Sequence, residues 1–96
     1  MTRVVVTEEA RRELSTLINS RHLPGDTRGR VLSSLEPLRS HPMIGPALRG
    51  TWEGYRFVLG PWPWMLLVYR VDIERDTVLV ASIQDARRAG MATWAR

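Results

Sequence analysis

The chain contains no cysteine, which excludes disulfides, thiolate nucleophiles and most zinc sites. It contains no lysine either, so its 14 basic residues are all arginine. No apolar run approaches the roughly 20 residues needed to cross a bilayer, so no spanning helix is expected. The start, MTRVVVTEEARR, has neither a long apolar stretch nor a cleavage site, which argues against a signal peptide. Together with the missing cysteines, this sets a cytoplasmic location as the expectation. There are no internal repeats and no Gly/Ser-rich or Pro-rich linker, so residues 1–96 read as a single domain.

What remains is an ordinary globular composition, 44% hydrophobic and 25% charged, with a net charge of +4. A basic balance on so small a chain suggests an anionic partner. Arginine suits that role because its planar fork grips phosphates bidentately and stacks on bases. A GC-rich genome would enrich arginine over lysine without any such partner, so the bias supports nucleic-acid contact only in part.

Along the chain, Arg3-Val4-Val5-Val6 is a short β-branched strand. Thr7 is placed to cap a helix whose first turn carries Glu8 and Glu9, where the helix dipole favours carboxylates. Ala10, Leu14, Leu17 and Ile18 make one face of that helix, and the pattern breaks from Asn19 to Gly25. Asp26 is set to cap a second helix with Val31, Leu32, Leu35 and Leu38 as its apolar stripe, kinked or restarted at Pro37. Residues 43–50 read as a loop. Three strands are then expected at Trp52–Leu59, Met65–Val71 and Val78–Ile83, the last nearly all apolar and hence central in the sheet. A short C-terminal helix is expected over Gln84–Trp94. The fold class is therefore α+β: an N-terminal strand and a two-helix hairpin on one face of a mainly antiparallel sheet, in the order β-α-α-β-β-β.

That order, together with TEEARREL, LRSHP, ALRG, GYRFVLG, VYRV and VLVASI in sequence, resembles the RelE/ParE superfamily of bacterial type II toxins. The likeness covers nearly the whole chain and rests on the order and spacing of these segments. It implies a small toxin neutralised by a cognate antitoxin. It also implies, as the leading expectation, inhibition of translation by ribosome-dependent mRNA cleavage, with ribosome and mRNA as partners, and, as the alternative, non-enzymatic inhibition of DNA gyrase. An inactive relic that keeps only antitoxin binding is the third alternative. No cofactor, metal or membrane is implied. The family commonly writes its third strand Tyr-Arg-x-x-Tyr; counted back from Tyr69, the arginine position is Leu66. Three residues past Ile83, where an arginine is often found, stands Ala86, followed by Arg87 and Arg88. The tail has Trp94 where a tyrosine would be useful. These departures count against RNA cleavage.

On that resemblance, Arg56, Arg70 and Arg87 are the candidate catalytic cations, and Arg49, Arg56, Arg70, Arg87 and Arg88 the candidate RNA contacts. Strand periodicity turns Arg56 away from Tyr55 and Phe57, out of the core, as a phosphate contact or a solvated strand arginine. Arg70 shares a face with Leu66 and Val68 and could instead pair with Glu53 or Glu74. Asp85 is either a base or a cap for the following helix. His22 and His41 read as solvated loop residues without metal-ligand spacing. Trp62 and Trp64 flank Pro63 in a loop stiffened by Pro61, either as exposed partner-binding anchors or as lids on the sheet.

Overall fold

A computed structural model describes residues 1–88. The first strand, β1 (Arg3–Val6), runs parallel to the last, with Val4 opposite Val78 and Val6 opposite Val80. Thr7 ends it and starts α1 (Glu8–Arg21): its hydroxyl oxygen accepts the Ala10 N–H at 3.3 Å and its O–H donates to the Val80 carbonyl at 2.9 Å. The cap thus fixes the helix to the sheet as well as to the turn. Ala10, Leu14 and Leu17 are buried, as their spacing predicts. The helix continues to Arg21, past the expected break at Asn19, and stops where His22 takes a left-handed conformation with φ of 52°.

The second helix, α2 (Thr27–Leu35), begins after Asp26, whose side chain makes no capping bond; the Thr27 hydroxyl instead donates to the Pro24 carbonyl at 2.6 Å. Val31 and Leu35 are buried, and Leu38 follows in a 3-10 turn (Glu36–Arg39) that carries Pro37 near its start. Proline lacks the N–H that the α-helix would need there, so the restart occurs as expected. Leu32 departs from the expected stripe and is 59% exposed, since one residue past Val31 lies about 100° around the helix.

The sheet has the order β1-β4-β3-β2, with β3 (Met65–Asp72) antiparallel to both β2 (Arg56–Leu59) and β4 (Thr77–Asp85), and β1 parallel to β4. The α+β layout β-α-α-β-β-β is therefore observed, with β4 in the sheet's interior. Two boundaries differ from expectation. Strand β2 starts at Arg56 instead of Trp52, because Gly50 and Gly54 both have positive φ and a 3-10 turn (Gly50–Trp52) intervenes. Strand β4 keeps Gln84 and Asp85, expected in a helix, because β3 still offers Leu66 and Met65 to pair with them. The rest of the expected helix, including Trp94, lies outside the described residues apart from the turn at 86–88.

Both faces of the sheet are covered. Met65, Leu67, Tyr69, Val78, Val80 and Ile83 meet the two helices in the larger cluster. On the opposite face Leu48, Phe57, Leu66 and Val68 form a second cluster, with Trp52 and Tyr55 packed against it. Every residue of β3 from Met65 to Tyr69 is consequently buried.

Candidate functional site

The candidate cations separate into two regions at opposite ends of β3. At the first, Arg56 pairs with Tyr69, while Phe57 belongs to the second cluster, so Arg56 points to the helix side of the sheet. It is not the outward strand arginine the alternation predicts. Because loop 43–47 runs along this edge, Arg56 Nη1 donates to the Gly45 carbonyl at 2.8 Å and to the Met43 carbonyl at 3.3 Å. The Tyr69 hydroxyl accepts the Gly45 N–H at 3.0 Å. Burial pushes the Tyr69 phenol above its ordinary value, and the Gly45 N–H and the Arg56 charge only partly oppose that. The phenol is thus neutral, and its oxygen holds a loop in place.

On the opposite face, Leu66 is 2% exposed beneath the second cluster. Arg70 follows on that face beyond the covered part and is exposed; no ion pair joins it to Glu53 or Glu74 among the described residues. Arg49, at the start of the 3-10 turn beside Leu48, is exposed as well. Arg56 and Arg70 therefore lie on different faces and do not converge.

The second region lies at the far end of β4. Asp85, at the strand's last position, has a side chain with 0% exposure. Its Oδ1 accepts Arg87 Nε at 3.0 Å and the Arg87 backbone N–H at 2.9 Å. Its Oδ2 accepts Arg87 Nη2 at 2.9 Å and, from the last turn of α1, Arg21 Nη2 at 2.6 Å. The Arg87 bonds, helped by the charges of Arg87 and Arg21, hold the carboxyl down to about 2 against the effect of burial. Asp85 is thus an ionised anchor and not a proton acceptor at neutral pH, nor does it cap a helix.

Trp62 and Trp64 stand over the same end. Both are half-buried against the larger cluster, stacked on each other at 5.9 Å between ring centroids and 13° between planes. The Arg30 guanidinium from α2 lies 5.0 Å from the Trp62 ring centroid, and Arg87 lies 4.5 Å from that of Trp64. The Trp64 carbonyl accepts the Ala86 N–H at 2.7 Å. Neither indole is fully exposed and neither is fully enclosed.

Beside Asp85 a groove of about 690 Å³ opens between α1 and β4, lined by Arg12, Glu13, Arg21, Gln84 and Arg88 among others. Glu13 is engaged there, accepting the Ser82 hydroxyl at 2.8 Å and the Ile83 N–H at 3.0 Å. A second, apolar groove of about 580 Å³ follows the β2 edge along Pro37, Ile44, Pro46 and Leu59. The sequence pattern points to Arg87 and the two tryptophans but not to Arg21, Arg30 or Glu13. The D-x-R spacing at Asp85 and Arg87 is the one local hint of the ion pair. Among the described residues no group of three His, Asp or Glu is placed to hold a metal, and no helix is long and apolar enough to cross a membrane.

No family model and no curated protein matches the chain. Solved structures do. A chain of the toxin–antitoxin complex RelBE2 from Mycobacterium tuberculosis is 26% identical, with a TM-score of 0.66, covering 88% of this chain and 96% of that one. The isolated RelE toxin of E. coli is 24% identical, TM-score 0.63, over 94% of this chain and 89% of its own. A chain of the chromosomal ParDE system of P. aeruginosa superposes with a TM-score of 0.69 at 15% identity, over 91% of this chain and 98% of that one. The topology, the packed helix hairpin and this set of neighbours agree: the chain belongs to the RelE/ParE superfamily of type II toxin–antitoxin toxins.

Proposed function

We propose that this chain is the toxin subunit of a type II toxin–antitoxin pair, cytoplasmic, restrained by a cognate antitoxin, and active through binding its target without cutting RNA. The observation that carries the reading is Leu66. An aliphatic side chain sealed under Leu48, Phe57 and Val68 stands where the resemblance calls for a phosphate-binding arginine. Charge-assisted donors aimed at the developing phosphorane are the main source of catalysis in such a reaction, and an isobutyl group supplies none. The neighbouring candidates do not compensate, because Arg56 is engaged with loop carbonyls on the other face of the sheet and Arg87 is committed to Asp85. DNA gyrase is the target class that the non-enzymatic branch of the superfamily implies.

Ribosome-dependent mRNA cleavage is the second reading. It is favoured by the exposed cations Arg49, Arg70 and Arg88, and by the higher identity to the RelE-type chains than to the ParDE chain. Induction of the gene alone should arrest growth, and co-expression with a neighbouring antitoxin gene should relieve the arrest. Purified protein should then inhibit gyrase supercoiling while leaving ribosome-bound mRNA intact. Normal growth on induction would leave only the antitoxin-binding relic, and codon-specific mRNA cuts would return the case to RNA cleavage.

A further inference from the structure

The tip of the α1–α2 hairpin is tied to the sheet by a run of unlike contacts. Arg21, in the last turn of α1, donates to Asp85 Oδ2 at 2.6 Å, and Asp85 in turn binds Arg87. Arg87 lies 4.5 Å from the Trp64 ring centroid, and Trp64 stacks on Trp62 at 5.9 Å. Arg30, in the first turn of α2, lies 5.0 Å from the Trp62 ring centroid. The run therefore begins and ends on the same hairpin, on either side of the turn at residues 22–26. Leu23, within that turn, packs against the larger cluster.

Each inner member of the run sets the position of the next. Asp85 Oδ2 accepts from both Arg21 and Arg87, so losing either leaves a buried carboxylate with less counter-charge. Asp85 also fixes the plane of the Arg87 guanidinium through Nε at 3.0 Å and Nη2 at 2.9 Å, and that plane is what stacks on Trp64. The Trp64 carbonyl accepts the Ala86 N–H at 2.7 Å, which keeps the indole beside the segment that carries Arg87. The two indoles are nearly parallel, at 13°, so a shift of one displaces the other. Arg21 and Arg30 have no partner in common. An energetic link between them has to run along these contacts or through the turn.

We propose that Arg21, Asp85, Arg87, Trp64, Trp62 and Arg30 form one clasp, which closes and opens as a unit and decides whether the hairpin tip rests on the sheet. Closed, it bridges the groove between α1 and β4 through Arg21 and Asp85. Open, it frees the tip and gives access to Leu17 and Ile83, which line that groove. The clasp is thus a conformational device, and local opening at this end is governed by contacts that belong to no single element.

The experiment is native-state amide hydrogen exchange on the full chain. The Leu23 N–H, bonded to the Ile18 carbonyl, and the Thr27 N–H, bonded to the Pro24 carbonyl, report on the tip. The Thr2 N–H, bonded to the Arg39 carbonyl, and the Asp76 N–H, bonded to the Ile73 carbonyl, serve as references elsewhere in the fold. Arg21→Ala and Arg30→Ala should each speed exchange at the tip about fivefold and leave the references unchanged. If the clasp is one unit, the double variant should also open only about fivefold more than wild type. Two independent contacts would instead multiply to about 25-fold. Repeating the cycle in an Arg87→Ala background separates the two routes. With the run cut in its middle, the effects of Arg21→Ala and Arg30→Ala should multiply. If Arg87→Ala does not fold, Trp64→Leu cuts the same run at the next member. Multiplying effects in the wild-type background would overturn the proposal, as would single variants that leave the tip unchanged. Coupling that survives the cut would assign the link to the turn and overturn it too. Equal acceleration at the references would mean global loosening without a separate clasp. The measurement needs neither antitoxin nor target, so its outcome is independent of the proposed function.

Discussion

The two ends of β3 hold the same residue types and put them to opposite uses. Near Tyr69, the arginine turns inward and its charge satisfies the backbone carbonyls of Met43 and Gly45. Near Met65, the carboxylate turns inward and the arginines that it binds face out. One end is closed by a loop laid along an edge strand; the other stays open beside a groove. Whether an arginine offers its charge to a partner is thus decided by which acceptor reaches it first. Its place in a strand pattern does not settle that.

The largest effect is expected in the cluster on the covered face of the sheet. Leu66→Arg would bury a guanidinium among Leu48, Phe57 and Val68, and should cost about 4 kcal/mol of unfolding free energy in urea titration. A stable, folded Leu66→Arg would mean that this face opens readily, and would revive an arginine-based active site. Gly45→Ala should come next. Its Cβ would collide with the Phe57 carbonyl oxygen and the Tyr69 hydroxyl, for a loss of about 3 kcal/mol. A loss below about 1 kcal/mol would show that the loop shifts cheaply.

At the open end, Asp85→Asn should destabilise by about 2 kcal/mol, less than for a fully buried pair, because Arg21 and Arg87 are partly exposed and rehydrate. The wild type should show a matching pH dependence. A carboxyl lowered to about 2 contributes its full stability above the unfolded value near 4. That contribution falls away as pH drops through the interval down to about 2. Melting curves from neutral to acid pH on wild type and Asp85→Asn should therefore converge only in acid, and a constant gap would remove the ion pair as its source. Trp64→Ala should lose about 1.5 kcal/mol, through half-buried area and the stack with Arg87, with Trp64→Phe recovering part of it. Equal melting temperatures would reduce the stack to surface decoration. Arg70→Ala should have the smallest effect, within about 0.5 kcal/mol, since nothing described binds that side chain. A larger stability change would reveal a structural role, whereas weakened growth arrest at unchanged stability would mark Arg70 as a target contact.

Much of the framework is legible in the amino-acid pattern alone. Val4 to Val6, the Thr7 cap, the Ala10–Leu14–Leu17 face and the break at Pro37 all follow from interactions within one or two turns of chain. The apolar run of β4 announces an interior strand in the same way. The site is less legible. Alternation misdirects Arg56 because it assumes one wet face, and this sheet has none around β3. Hydrophobicity counts Leu32 into the α2 stripe, although its angle on the helix excludes it. Asp85 reads as a cap because its partners are a two-residue neighbour and an arginine 64 residues earlier.

By itself, the sequence determined the order of elements, the cap, the helix break, the burial of α1 and the interior position of β4. Each depends on periodicity or on a single residue's backbone chemistry. Only the tertiary structure decided that residues 46–55 cover the second face of the sheet and bury Leu66, because a covering loop has no period to read. It alone brought Arg21 and Arg87 to one buried carboxylate, and Arg30 to Trp62. Such contacts join separate elements, and their energy depends on desolvation and orientation, which exist only once the chain has packed.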